Sequence, residues 1–403
     1  MDYSAQEVLQ YVAEDDVKFI RLAFCDVFGR QKNVAVMPSE LERAFDCGIA
    51  FDASAIAGFG GEVRSDLFLR PDPSTLSGLP WRPENGKVVR FFCDIYRPDG
   101  SVFEADTRGI LKRAVKDASD KGLCFNFGPE MEFYLFKSDE SGLPSYIPYD
   151  NAGYMDIAPG DKGENIRREI CLTLEKMGIY PESSHHEEGP GQNEIDFRHS
   201  DALSAADNAV TFRSIVETIA GRNGLRADFT PKPLSDKPGS GMHINISVKH
   251  RDGTDYLPNI MAGILEHAPD MTAFLNPCPE SYARLGSNKA PKYISWSHEN
   301  RSQLIRFPAA VGAYRRAELR SADAMSNPYI AFALMIYAGI CGIERNMQLP
   351  SPADINLFAE PPEVLSGFKR LPEDLAQARA KAAESDFIKE HLPDSVLKPY
   401  SIV

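Results

Sequence analysis

FNFGPEMEFYLF, residues 125–136, decides how the rest of the chain is read. In an extended segment, residues two apart project to the same face, so Glu130 and Glu132 point together. Their surroundings are apolar: Phe125, Phe127, Phe133, Tyr134, Leu135 and Phe136 flank the two acids. Like charges this close raise each other's pKa, and burying them unpaired costs free energy. A hard divalent cation would resolve the conflict. A solvated strand face carrying two ordinary acids would avoid it, and this stretch alone leaves both readings open.

Working outward, the 403 residues are 43% hydrophobic and 25% charged, ordinary for a globular protein. The length predicts two or three domains, or one small and one large. A net charge of -14 argues against a nucleic-acid backbone or an anionic membrane as partner, since either needs a basic face. Small molecules are the expected partners. The seven cysteines are scattered singly with no CxxC pair, which predicts reduced thiols in a cytoplasmic protein. The acidic start, MDYSAQEVLQYVAEDD, shows no apolar export signal. The apolar run Pro328 to Ile343 is shorter than the ~20 residues of a membrane span and predicts a buried core helix.

The first hundred or so residues read as short strands and turns. VKFIRLAFCDVF and KNVAV flank GRQ as a hairpin, a glycine-rich stretch follows at Phe51 to Gly61, and Pro and Gly punctuate LRPDPSTLSGLPWRPENGK. A further strand, VVRFFCDIY, ends at RPDG, which sets the domain boundary near Asp99 to Phe103. The domains are therefore expected at 1–102 and 103–403. Beyond the boundary, TRGILKRAVKDASDKG, ENIRREICLTLEKMG and AADNAVTFRSIVETIAGRNG have helical periodicity and close on glycine. Strands and helices alternate irregularly without a dinucleotide fingerprint, an α+β pattern. The tail from Pro372 is charged and helical, either a solvated helix or a subunit contact.

Four further polar clusters change the weight of Glu130 and Glu132. In SSHHEEGPGQNEIDFRH, Glu187 and Glu194 flank a Gly-Pro turn that can fold both toward one point. In GSGMHINIS, His243, Asn245 and Ser247 alternate with apolar residues and share a strand face. ENRSQLIRFP presents Arg301 and Arg306, and YRRAELRSADAMSNPY places Glu318 and Arg320 on one strand face before the buried helix. Each has a bland alternative: a satisfied core histidine, solvated arginines, a GSG without a ligand. Together, five glutamates and a histidine in apolar segments, with arginines nearby, make a ligand set for hard cations plus a phosphate clamp.

These segments, with IRLAFCDVFG, FDASAI and ISWSHENRSQLIRFP, occur in the order found in bacterial-type glutamine synthetases, and the chain resembles that family from about Val17 to about Leu375. The resemblance implies a small N-terminal β-grasp domain and a larger catalytic domain with a curved antiparallel sheet flanked by helices. It implies two ions, Mg2+ or Mn2+, one on Glu132, Glu187 and Glu194 and one on Glu130, His243 and Glu318, a set unlike the thiolates and imidazoles of zinc sites. ATP would meet Glu182, Arg198, Asn245, Ser247, Arg306 and Arg316, with His199 where the family stacks an aromatic ring on adenine. The amino-acid substrate would meet Gly239, Arg284 and Arg320, and Arg301 would stabilise the phosphoryl group in flight. Asp52 matches an aspartate that serves a neighbouring subunit's site by binding ammonium, which implies a homo-oligomeric ring.

The resemblance also has departures. The family carries a flap glutamate shortly after the position of Arg284, where this chain has Lys289 and no acid before His298. Pro238 replaces a substrate-contacting asparagine, Phe358 replaces the tyrosine that some relatives adenylylate, and the tail is shorter than usual. Three functions are therefore expected in order: glutamine formation from glutamate, ammonia and ATP; a γ-glutamyl-type ligase using another amine or acid; and a non-catalytic binding or regulatory protein.

Overall fold

The computed structural model describes residues 3–60, 65–81, 86–139, 141–310 and 312–401. The predicted hairpin is present: Val17–Cys25 and Gln31–Val36 pair antiparallel, with Ile20 opposite Val36 and Cys25 opposite Gln31. Val17–Cys25 also pairs in parallel with Lys87–Tyr96, which continues through Asp66–Pro71 to Ile49–Asp52. Gly29 in the hairpin turn has φ +75, and a Cβ there would come 2.8 Å from Asn327 Cα, so the turn seats against the far larger second unit only as glycine. Gly61 and the punctuated positions Arg82 to Asn85 lie outside the described residues.

Two helices in this region escaped the strand-and-turn reading, Ala5–Glu14 and Leu41–Asp46. The first carries a legible signal. Ser4 and Glu7 form a reciprocal capping box, the S-x-x-E pattern that opens helices.

The second sheet has ten strands among the described residues, built on the sixteen-residue strand Leu123–Ser138. Met242–His250 and Gln192–Phe197 pair antiparallel with it, and the path extends from Met242–His250 through Ala317–Leu319 and Ile305–Phe307 to Trp296–His298. Helices Thr107–Asp120, Glu164–Lys176 and Ala202–Arg222 occur where periodicity places them, and Gly122, Gly178 and Gly224 follow them at positive φ. The apolar run forms the buried helix Pro328–Glu344, whose Phe332 ring stacks on Phe127 of the long strand at 4.4 Å. No described helix is long and apolar enough to cross a membrane. Leu257–Leu275, a helix the sequence reading did not anticipate, packs beside Pro328–Glu344.

The tail is not a free helix. Leu375–Glu384, Asp386–His391 and Asp394–Ser401 bury Ala378, Ile388, Val396 and Tyr400 in the chain's own core, and the Tyr400 hydroxyl donates to Val27 O at 3.1 Å.

One buried guanidinium ties the first sheet to the helices behind it. Arg108 of helix Thr107–Asp120, 4% exposed, bonds Asp207 of helix Ala202–Arg222 through Nε and Nη2 at 3.1 and 3.0 Å, and reaches Asp94 of the first sheet and Asp72, just past its strand Asp66–Pro71, at 3.0 Å each. Tyr329 donates to Asp207 at 2.6 Å. Removing one member of such a network leaves buried charge uncompensated, so Arg108→Met is expected to cost about 3–5 kcal/mol, measurable by urea unfolding. Burial works against the Asp72 carboxylate, but Arg108 draws its pKa down to about 2. A depressed folded-state pKa contributes stability above the unfolded carboxylate pKa and loses it as pH falls toward 2. Arg108→Met should therefore flatten the acid limb of the stability profile.

Candidate active site

Strand register brings the charged residues into rows across the sheet. Glu194 stands opposite Glu132, and Asp196 opposite Glu130, which is itself opposite His243 on its other side. Asn245 faces Glu318, and Arg306 faces Glu318 from the next strand. Met131, between the two acids, is 1% exposed on the opposite, core-facing side. The two glutamates therefore share a face of the strand, and that face lines a cavity of about 370 Å³.

The cavity is crowded with acids. Glu130, Glu132, Glu187, Glu194 and Asp196 all line it. Burial first, then Glu187, push Glu132 up to about 7, while Arg284 works the other way. Burial together with Asp196, Glu132, Glu130 and Glu187 drives Glu194 well above the carboxylate range, and burial and Glu130 push Asp196 up to about 6. Burial also opposes ionisation of Glu187, but His185 Nε2 at 2.9 Å and the Glu188 N–H at 3.0 Å hold it low. His243 is forced well below its usual pKa by burial and by Arg320, leaving a neutral imidazole. These are the marks of a site with more negative charge than its own cations neutralise.

Ligand atoms of Glu130, His243 and Glu318 lie within 4.8 Å of one another, as do those of Glu132, Glu194 and His243, and those of His185, Glu187 and Glu194. His243 Nδ1 is 3.5 Å from Glu130 and 3.7 Å from Glu318. Carboxylate oxygens with one imidazole nitrogen fit Mg2+ or Mn2+. Glu318 differs from the others in being fully buried and already paired with both Arg306 and Arg320. Sequence reasoning passed over His185 and Asp196. Both occupy the strand-alternation positions adjacent to Glu187 and Glu194, a signal that was available.

Arg284 and Arg320 line one end of the cavity with Gly239. Arg284 is anchored by Nη1 to Ser321 O at 2.8 Å, and a Cβ at Gly241 would fall 2.4 Å from its Nη2. The GSG is thus a close-packing device around a guanidinium. The Gly241 N–H donates to Glu132 at 2.9 Å, fixing that carboxylate. Gln192 reaches Glu132 and Gly239 O at 3.3 and 3.1 Å.

A second cleft of about 200 Å³ opens from the other side of the carboxylates and shares Glu130 and Asp196 with the cavity. Glu182, His199, Asn245, Ser247 and Arg316 line it, joined by Tyr314 and Arg315. Arg316 Nε donates to Asn245 at 2.8 Å, and Asn245 donates to Glu130 at 2.7 Å, a polar chain from cleft to carboxylates. Arg301 and Arg306 line the cavity instead. Two of the expected residues are not brought in. Arg198 is exposed with its guanidinium 5.8 Å from the Tyr180 ring, and Asp52 is exposed at the end of its strand, accepting from the Ser54 N–H at 2.9 Å.

The Glu187–Glu194 turn is held from beneath by Asp150, which accepts from the Gly191 N–H at 2.9 Å and lies 2.9 Å from His186 Nε2. No sequence signal marked Asp150, because it is 37 residues away from Glu187 and has no motif of its own.

Residues 16–98 match the glutamine synthetase β-grasp domain, and residues 104–403 match the glutamine synthetase catalytic domain. The chain belongs to the glutamine synthetase family. It is a ligase of that family along its whole matched length, which runs past the Leu375 limit of the motif resemblance. Glutamine synthetase of Clostridium saccharobutylicum is 44% identical over 99% of this chain and 93% of its own length, and that of Methanosarcina mazei 44% over 98% and 92%. A solved GmaS–ADP complex superposes with a TM-score of 0.88 at 26% identity, covering 100% of this chain and 94% of that one. Plasmodium falciparum glutamine synthetase shares the fold, with a TM-score of 0.87 at 22% identity, covering 100% and 95%.

The segment after Arg284 contributes Asn288 and Lys289 to the cavity lining. Asn288 and Lys289 take the left-handed conformation, with φ +42 and +67. This presents the Lys289 ammonium to Glu188, with which it pairs, and to the Tyr154 ring at 5.6 Å. All three residues line the cavity mouth. The sequence reading weighed Lys289 alone and missed Glu188, whose neighbour Glu187 drew the attention.

Proposed function

We propose that this glutamine synthetase family ligase forms glutamine from glutamate, ammonia and ATP, through an acyl phosphate, with the carboxylate cluster as the meeting point of the two clefts. The supporting observation is that Glu130 and Asp196 line both the arginine-rich cavity and the Arg316 cleft. An amino acid entering by one and a nucleotide entering by the other meet at the acids. Glu132, Glu187 and Glu194 form one cation set, and Glu130, His243 and Glu318 the other. When bound, Mg2+ or Mn2+ supplies neutralisation of phosphate charge.

In this reading Arg284 and Arg320 take the α-carboxylate of glutamate, whose side-chain carboxylate then points at the γ-phosphate. An oxygen of that carboxylate forms the new P–O bond as ADP leaves; ammonia nitrogen then bonds the carbonyl carbon as inorganic phosphate leaves. Arg301, exposed at the mouth, and Arg306 stabilise the charge on the phosphoryl group. Glu318 must release one guanidinium to join a cation site. Arg306, 14% exposed against 2% for Arg320, is the one free to turn toward phosphate. Glu182, His199, Asn245, Ser247 and Arg316 hold the nucleotide. Asp52 serves the site of an adjacent subunit in a ring, which explains why it lies outside its own chain's cavity. A cytoplasmic place is consistent with ATP and ammonia as substrates.

Phosphate release from ATP with glutamate, measured across ammonia and a panel of primary amines, tests the reading. Ammonia-dependent turnover is expected. A second reading, an amine other than ammonia, draws on Lys289 and Pro238, and turnover only with such an amine would replace the first.

The Glu188 partner bears on that choice, because a paired lysine repels a cation far less than a bare one. Glu188→Gln should therefore raise KM for ammonium by roughly three- to tenfold, ~0.7–1.4 kcal/mol, with kcat little changed. High salt should shrink the difference. Lys289→Glu, which places a third acid beside Glu187 and Glu188, should lower KM for ammonium provided the loop still closes. Unchanged ammonium kinetics in both variants would remove the flap from amine selection.

A further inference from the structure

Arg284 and Arg320 share one end of the cavity but are held in different ways. Arg320 pairs with a carboxylate, Glu318. Arg284, almost as deeply buried, is held by main-chain oxygens: Nη1 donates to Ser321 O at 2.8 Å and Nη2 to Arg320 O at 3.3 Å. Whatever aims the Ser321 carbonyl therefore aims Arg284.

Two buried side chains outside the cavity lining do so. Asn276 follows the helix Leu257–Leu275, and its Nδ2 donates to Ser321 O at 2.8 Å and to Asp323 Oδ2 at 2.9 Å. Both partners are acceptors, so only the amide nitrogen can face them. The amide oxygen is left buried with no hydrogen-bond partner among the described residues. That is unfavourable by itself, and it persists because the nitrogen is fixed from two sides. Asp323 is fully buried and accepts from the Met325 N–H at 3.1 Å and from the hydroxyl of Ser281, on the short helix Pro279–Arg284. Burial pushes its carboxyl up to about 6, and Arg284 is the strongest influence in the other direction. The two charges act on each other although an amide and a carbonyl stand between them. Capping the turn at Met325 would occupy the carboxylate alone; the amide and the shared carbonyl have no part in it.

We infer that Asp323 and Asn276 are positioning residues for the amino-acid end of the cavity, holding the Arg284 guanidinium, through the carbonyl of Ser321, in the orientation that takes a carboxylate. Hydrogen bonds in series polarise one another. Here they run from carboxylate to amide to carbonyl to guanidinium, with negative charge at the buried end and positive charge at the cavity. The bonds to Ser321 and Arg320 leave further guanidinium N–H groups for a bidentate ligand. This role rests on the assignment of the α-carboxylate of glutamate to Arg284, and the test separates the two.

The test is steady-state kinetics of the full chain with Mg2+, ATP and ammonium, comparing Asp323→Asn, Asn276→Ala, Arg284→Lys and the double variant Asp323→Asn/Arg284→Lys. Asp323→Asn keeps an acceptor for the Met325 N–H but sets one NH2 group against that of Asn276. If the Asn276 amide turns over in response, its oxygen meets the Ser321 carbonyl, and the aim of that carbonyl is lost either way. KM for glutamate is expected to rise about tenfold in Asp323→Asn and in Asn276→Ala, with kcat and KM for ATP within about twofold of the parent. Arg284→Lys should raise KM for glutamate at least as much, since lysine cannot pair in bidentate fashion. Adding Asp323→Asn to it should then change little, because no guanidinium remains to be aimed. A glutamate KM that rises in Arg284→Lys but not in Asp323→Asn or Asn276→Ala overturns the positioning role and leaves the Arg284 assignment standing. A glutamate KM unchanged in Arg284→Lys as well removes both. A fall in kcat with rises in both KM values, or additive effects in the double variant, marks a general packing role and overturns the positioning role too. Should Asp323→Asn fail to fold, Asn276→Ala, which spares the carboxylate, decides by the same readout.

Discussion

Glu132→Gln is expected to reduce turnover by a thousandfold or more, a loss of at least ~4 kcal/mol of transition-state stabilisation. The Glu132 carboxylate is positioned by the Gly241 N–H at 2.9 Å and faces the cavity among five other acids. It makes no ion pair among the described residues, so neutralising it removes charge without breaking a structural bridge. The amide keeps the shape, and the change therefore tests charge alone. Glu318→Gln should be equally inactive but for two reasons at once. Its carboxylate lies buried between Arg306 and Arg320, and withdrawing it leaves two guanidiniums facing each other, a cost of about 3–5 kcal/mol. Comparing the two variants by thermal melt separates the effects: Glu132→Gln should melt near the parent or above it, and Glu318→Gln well below.

The same cluster predicts metal dependence. Excess chelator should abolish turnover and added Mg2+ or Mn2+ restore it, while zinc should not substitute. Nucleotide affinity, read by calorimetry with and without Mg2+, should fall in parallel in the Glu132→Gln variant. Full turnover in excess chelator would falsify the cation assignment for all six proposed ligands.

Much of the site could be read in advance because it is written on strands. A period of two puts Glu130 with Glu132, His243 with Asn245, and Glu318 with Arg320, and the register of neighbouring strands then had few ways to assemble them. What stayed hidden depends on contacts between segments far apart in sequence. Asp150 beneath the Glu187–Glu194 turn, Arg108 between the first sheet and the helix Ala202–Arg222, and the pairing of Glu188 with Lys289 across 101 residues have no local pattern to betray them. The missed helices have different causes. Ala5–Glu14 announced itself by a capping box inside a stretch otherwise read for export signals, whereas Leu257–Leu275 contains Pro269, which argues against a helix unless packing overrides it. Arg198 is the converse case: motif position puts it at the nucleotide, while its exposed guanidinium lies 5.8 Å from the Tyr180 ring, outside the cleft lining.

Mixing two inactive variants, Asp52→Ala and Glu132→Ala, should restore activity if neighbouring subunits share sites. Asp52 ends a strand of the first sheet and lies outside the cavity of its own chain. Its exposed carboxylate accepts from the Ser54 N–H, which lowers its pKa, so it stays anionic and suited to holding an ammonium ion. In a closed ring with head-to-tail contacts, each catalytic site would draw its Asp52 from one neighbour. Each variant alone then has no intact site. In rings reassembled from an equal mixture, a site is intact only where an Asp52→Ala chain supplies the glutamates and a Glu132→Ala chain supplies the aspartate. Random assembly gives that arrangement at about one half times one half of the positions, so recovery should approach one quarter of parental turnover. Recovery should follow the product of the two fractions as the mixing ratio is varied, peaking at equal parts. A fully active monomer in sedimentation, or mixtures that stay inactive although mass measurement shows hybrid rings, would rule out a shared site and return Asp52 to an exposed strand end with no catalytic part.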